Sequence, residues 1–104
     1  MPLDVSSEDS IKALTSHLPP SIPIDILVNN AGVLVNVDLN GATSKVMLDT
    51  YMVNAVAPLL VTQTLLGNLK EGAKKNPGKT MIINVTSRMG SIADNTSGKS
   101  YAYR

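Results

Sequence analysis

The chain has 104 residues, a formal charge of +1, one histidine and no cysteine. That length holds one domain or part of one, and a near-neutral balance without a Lys/Arg run gives no footprint for nucleic acid or an anionic membrane surface. With no cysteine, neither a disulfide framework nor a thiolate metal site is available, which favours a reducing compartment and hence a cytoplasmic protein.

The N-terminal stretch carries Asp4, Glu8 and Asp9 where a signal peptide would place basic and then apolar residues. No run approaches the roughly 20 apolar residues of a membrane span, so no membrane partner is expected. Ser6 followed by Asp9 reads as a capping-box-like start, after which Ile11, Leu14 and Leu18 recur at helical spacing. This predicts a short first helix ending before Pro19-Pro20. Beyond Pro23, Ile24 to Val28 is a short apolar run rich in β-branched residues that stops at Asn29-Asn30-Ala31-Gly32, and it predicts a strand buried on both faces.

From about Ser44 to about Gly72, apolar residues including Met47, Leu48, Met52, Val56, Leu60 and Leu69 suit one long helix that Pro58 must disturb. Lys70, Lys74 and Lys75 lie beside Glu71 and read as the solvated end of that helix. Asn76-Pro77-Gly78 is turn chemistry, and Met81 to Val85 forms a second short apolar strand that ends in Thr86-Ser87. Strand, helix, strand is one βαβ crossover, which joins parallel neighbours and implies an α/β fold. Arg88 to Ser100 is polar and reads as a loop; no internal repeat or low-complexity segment is present.

In open parallel sheets ligands bind beyond the carboxyl ends of the strands, which directs attention to Asn29 to Gly32 and Thr86 to Gly90. Two amides can fix neighbouring backbone there, and two small residues let a ligand approach the main chain. A plain turn uses the same residues. His17 has no second candidate ligand nearby and reads as a surface or boundary residue, and the five methionines read as core filler, so no metal is expected.

Asp25-Ile26-Leu27-Val28-Asn29-Asn30-Ala31-Gly32 resembles the signature of the short-chain dehydrogenase/reductase family. Further matches follow in the family's order. Asp4 and Val5 resemble the pair at the end of a strand that contacts the adenine ring. Asn54 resembles the helix asparagine of the active site, and Ser87 the catalytic serine after the next strand. Tyr101-Ala102-Tyr103-Arg104 resembles the approach to a Tyr-x-x-x-Lys motif, and Gly90 to Gly98 is similar to carbonyl reductases of the C-factor and sniffer type, which continue Tyr-Arg-x-Ser-Lys.

The resemblance implies a Rossmann-type doubly wound parallel sheet and hydride transfer between NADP or NAD and a small-molecule carbonyl or alcohol, in a homo-oligomer of two or four chains. Asn29, Asn30, Ala31 and Gly32, with Asp4 and Val5, would line the adenosine side of the cofactor; Asn54, Ser87 and Tyr103 would be catalytic. NADP is favoured over NAD only by the likeness to that group of carbonyl reductases.

The chemistry suits these side chains. Reducing a carbonyl by hydride requires a proton donor at the developing alkoxide, and a phenol, with an ordinary pKa near 10, becomes a better acid beside an ammonium. Ser87 would hydrogen-bond the substrate oxygen; alternatively it caps a turn, and Ser91 is a rival further from the strand end. Tyr103 is preferred to Tyr101 because Arg104 follows it directly. Pro58 has no N–H for the Asn54 carbonyl four residues earlier, which leaves that oxygen free; the resemblance implies that this asparagine holds a water in a proton relay, and Pro58 would expose the acceptor, or alternatively Pro58 only kinks the helix. A glycine-rich phosphate turn is expected before the first residue and an active-site lysine after the last, so residues 1–104 read as the central part of one dinucleotide-binding domain that neither folds stably nor turns over alone. A non-catalytic dinucleotide-binding or signalling protein that retains the fold is the competing reading.

Overall fold

The computed structural model describes residues 2–104. Its first helical segment is α1 (Glu8–Lys12), followed across Ala13 by α2 (Leu14–His17), which ends ahead of Pro19 as the periodicity predicts. The cap is Ser7, not Ser6: Ser7 is extended, and its hydroxyl accepts from the Ser10 N–H at 3.2 Å. Ser6 is engaged elsewhere, because its N–H and its hydroxyl both donate to Asp4 Oδ1, at 2.9 and 2.6 Å. A carboxylate is a stronger acceptor than any neutral group nearby. The same bonds, the hydroxyl's first, hold the Asp4 carboxyl below its ordinary pKa.

Two strands, β1 (Ile26–Asn29) and β2 (Met81–Asn84), pair in parallel, with Ile26 opposite Met81 and Asn29 opposite Asn84. The crossover between them is helical from Ser44 to Lys75, but it is three helices and not one. Thr43 caps α3 (Ser44–Tyr51) through its hydroxyl, which accepts from the Val46 N–H at 3.2 Å. A π-helical turn, Met52–Val56, joins α3 to α4 (Ala57–Thr64). Here the Ala57 N–H donates five residues back to Met52 O. Pro58 explains the change of register: with no N–H and a ring that crowds the carbonyl four residues earlier, it cannot continue the α-helical ladder onto Asn54.

The second break is at Leu65, whose φ of −97° and ψ of 9° leave the helical region; beyond it α5 (Leu66–Lys75) runs 57° from the preceding axis. The bend lays α5 along the loop that leads into β1. Asn68, with 1% of its surface exposed, fastens that contact, because its Nδ2 donates to Pro19 O and Ile22 O, both at 2.8 Å, while its backbone oxygen accepts from the Ile24 N–H at 3.0 Å. At the end of α5, Asn76 Nδ2 donates to both Asp25 carboxylate oxygens, at 3.0 and 3.1 Å, and ties the helix to the entrance of β1. Among the described residues no single helix is long and apolar enough to cross a membrane.

The core is one-sided. Ile11, Leu14, Ala57, Val61 and Leu65 are buried together, with Val5, Leu18, Ile24, Leu27, Met52 and Leu60 packed against them. Leu27 brings one face of β1 into this cluster. The expectation of a strand buried on both faces is therefore corrected: Ile26 and Val28, on the other face, are 53% and 50% exposed, and all of β2 is exposed. Alternation of in and out is what a sheet shows when helices cover one side only. The outline is accordingly flat, 50 × 30 × 17 Å, with a radius of gyration of 16.3 Å. A compact domain of this length would have about 13 Å.

Candidate active site

Both strands run toward the same rim. Val85 N–H donates to Asn29 O at 3.0 Å just past the paired segment, and from there the two chains diverge. The opening between them is a cleft of about 490 Å³, whose walls include Asn30, Ala31, Gly32, Asn54, Ser87 and Tyr103. Residues from β1's exit, the π-helical turn, β2's exit and the C-terminal segment thus meet in one place, although they span more than 70 positions of sequence.

Asn54 projects its side chain onto the loop after Gly32 and clasps one residue. Its Oδ1 accepts from the Val33 N–H and its Nδ2 donates to Val33 O, both at 2.8 Å. The amide pairs with this one residue as a backbone mimic, which leaves one N–H and one lone pair of the side chain uncommitted, and the Asn54 main-chain carbonyl lies four residues before Pro58, which has no N–H to offer it. A Cβ at Gly32 would meet Asn54 Oδ1 at 3.4 Å, an ordinary contact. The fold therefore does not demand glycine there; what glycine provides is room in the cleft.

Ser87 combines the two roles open to it. It caps a short 3₁₀ turn, Arg88–Gly90, by accepting from the Met89 N–H at 3.2 Å. That bond uses a lone pair and leaves the hydroxyl's own proton available to the cleft. Tyr103 is half-buried and lines the cleft, whereas Tyr101 is 46% exposed and does not. Ser91 is absent from the lining too.

The residues expected around the adenosine are split between two places. Asn29 borders the groove that holds Val5, and its Nδ2 donates to Asn84 Oδ1 at 2.8 Å and, at 3.4 Å, to Thr62 Oγ1. It fastens the strand ends together and braces them on α4. Val5 lies in a second, apolar groove of about 260 Å³, with Leu27, Val28, Val53 and Ala57. Asp4 is not part of that lining, and Ser6 donates twice to its Oδ1. Asn30 and Ala31 border both cavities, so the groove and the cleft adjoin across the amide-glycine cluster. Among the described residues no group of three or more His, Asp or Glu side chains is placed to hold a metal ion.

Three side-chain hydrogen bonds at or near the site are not anticipated from the sequence. Thr50 is buried at the cleft wall with its hydroxyl donating to Val46 O at 2.7 Å, Ser100 is buried with its hydroxyl donating to Asn36 Oδ1 at 3.0 Å, and the Arg104 guanidinium reaches Met89 O at 3.0 Å. The Thr50 bond is local to α3, whereas those of Ser100 and Arg104 depend on partners 64 and 15 positions away, which no local pattern announces.

The short chain dehydrogenase family profile matches residues 1–102. The protein named C-signal of Myxococcus xanthus is 43% identical over 88 residues, covering 79% of this chain and 47% of that protein. Among solved structures, the NADPH-bound carbonyl reductase from chicken fatty liver superposes with a TM-score of 0.90 at 36% identity, covering 99% of this chain and 43% of that one. Carbonyl reductase Sniffer of D. melanogaster gives a TM-score of 0.89 at 32% identity, covering the whole of this chain and 46% of that one. The chain spans less than half the length of each of these relatives.

Proposed function

The chain belongs to the short-chain dehydrogenase family and carries part of its Rossmann-type parallel sheet, and on that premise we propose that its protein transfers a hydride between NADP(H), or NAD(H), and a small carbonyl or alcohol substrate. The observation that carries this is the convergence of Ser87, Tyr103 and the Asn54 turn on the cleft that adjoins the Asn30-Ala31 cluster. The chemistry of the two cavities fits a dinucleotide: an apolar slot at Val5 suits a flat base, and the more polar of the two, with Ser87 and Tyr103 in its wall, suits the reacting end. Val5, Asn30, Ala31 and Gly32 would hold it, and when bound it supplies the hydride.

The chain's own residues do the rest. Ser87 donates a hydrogen bond to the substrate oxygen and stabilises charge that develops on it. Tyr103 gives its phenolic proton to that oxygen in reduction and takes it back in oxidation. Asn54 fixes the Val33 backbone at the cleft wall, and its carbonyl, facing Pro58, holds a water that resupplies the proton. We place residues 1–104 in the middle of a single dinucleotide-binding domain of a soluble protein.

A second reading rests on the 43% identity to the protein named C-signal: a fold that binds a dinucleotide and signals without turnover. Incubating the full-length protein with NADPH and a panel of aldehydes and ketones separates the two. Consumption of NADPH that depends on the carbonyl compound is the expected result. Binding of NADPH with no consumption across the panel would favour the second reading.

A further inference from the structure

We propose that Arg104 is a positioning residue for the hydride transfer proposed above, on which this inference rests: its guanidinium clamps the loop that follows β2 and so sets where the Ser87 hydroxyl and the Tyr103 phenol meet. Nη1 donates to Met89 O at 3.0 Å, Nε to Lys99 O at 3.2 Å and Nη2 to Ser97 Oγ at 3.4 Å. All three partners are neutral oxygens, and among the described residues no carboxylate is paired with Arg104; Asp94, the acid of this loop, lies 3.4 Å from Arg88. A planar fork spreads its donors over three nitrogens and so spans acceptors on three separate residues, whereas the three donors of a lysine radiate from a single nitrogen.

Met89 links this clamp to the serine. Its N–H donates to Ser87 Oγ, at 3.2 Å, and its carbonyl accepts from Arg104. One residue is thereby held from both ends, by the serine proposed to meet the substrate oxygen and by the neighbour of the proposed acid.

The C-terminal side of the clamp is equally constrained. Lys99 and Ser100 adopt φ of 61° and 50°, a left-handed pair without glycine. Such backbone persists where its surroundings hold it. Here Ser100 is 6% exposed, its hydroxyl donates to Asn36 Oδ1, and its carbonyl accepts from the Arg104 N–H at 3.0 Å. The reversal turns the Lys99 carbonyl toward the guanidinium. Loss of the side chain would release both the loop after β2 and this reversal, and a displacement of about 1 Å at reacting groups can cost a hundredfold in rate.

The test uses the full-length protein with NADPH and its best carbonyl substrate. Arg104→Ala is expected to lower kcat by roughly tenfold to a hundredfold while leaving the dinucleotide Kd within about twofold, and Arg104→Lys to recover part of the loss. Because the effect runs through Ser87, adding Arg104→Ala to Ser87→Ala should cost far less than it does alone. An unchanged kcat, a fully additive double variant, or a weakened dinucleotide Kd that accounts for the loss would each overturn the proposal; the last would make Arg104 a ligand contact. Failure of the underlying reading looks different, since the unsubstituted protein would then show no turnover, and it would take this inference with it.

Discussion

Tyr103→Phe in the full-length protein lowers kcat by about a hundredfold to ten-thousandfold, while Tyr101→Phe leaves it within about twofold, because only the residue that transfers the proton carries the acid–base contribution. The two tyrosines are two residues apart, and in the sequence only Arg104, directly after Tyr103, separates them. Their surroundings differ. Tyr103 faces the cleft shared by Ser87 and Asn54, and Tyr101 stands 46% exposed outside it. Removing one oxygen from a phenol preserves the ring and its packing, so the dinucleotide Kd should stay close to that of the unsubstituted protein. Steady-state kinetics with calorimetric measurement of cofactor affinity checks both halves. The reverse pattern, with Tyr101→Phe inactive, would mean that the residues after β2 are arranged differently when substrate binds.

Gly72→Ala is expected to destabilise the protein by about 3 kcal/mol, against the gain of up to about 1 kcal/mol that alanine normally brings inside a helix. A methyl at Gly72 would lie 2.0 Å from the Ile24 carbonyl oxygen and 2.7 Å from its carbon. Those are backbone atoms, and they cannot swing aside as the end of a side chain can. Ile24 is also held in place, since its N–H donates to Asn68 O one turn earlier on the same helix. Either α5 lifts away, breaking the Asn68 bonds to Pro19 and Ile22, or the chain entering β1 moves and the cleft rim moves with it. Thermal unfolding of the full-length protein should show a fall of roughly 6 to 12 °C. Gly90→Ala is the control, because nothing lies within 4 Å of a Cβ there. An unchanged or raised Tm for Gly72→Ala would mean that the close approach of α5 to Ile24 is absent from the protein in solution.

Local signals in the sequence carried much of the architecture. Both strands announce themselves as short β-branched runs with turn residues behind them, and they pair as parallel neighbours with a helical crossover between. Pro58 marks the first helix break because its missing donor is a property of the residue itself. Leu65 marks the second with no such property; the bend there follows from how α5 meets the Pro19 to Ile24 loop, which only the assembled structure contains. Asn68 and Gly72 are invisible for the same reason, each being significant through a partner more than 40 positions away. The misjudged burial of β1 has another origin. A run of Ile, Leu and Val states that a strand can be covered on both faces, but not that the described residues cover it.

The site residues divide along the same line. Asn30, Ala31, Gly32, Asn54, Ser87 and Tyr103 line one cleft, as their positions after predicted strands and on the crossover suggest. Asn29, still inside β1 with its amide on Asn84, borders the adjoining apolar groove with Val5 and not this cleft. At Asp4, Ser6 donates twice to Oδ1, and the main chain is engaged as well, its N–H on Ser10 Oγ and its carbonyl by the Ser7 N–H.

A crystal structure of the full-length protein with NADP and a carbonyl substrate analogue tests the central claim most directly. The Ser87 hydroxyl and the Tyr103 phenol should both lie within hydrogen-bond distance of the same carbonyl oxygen, with the Asn30 to Gly32 backbone alongside the dinucleotide. A carbonyl oxygen held by other groups, with Ser87 and Tyr103 turned away from it, would contradict the account.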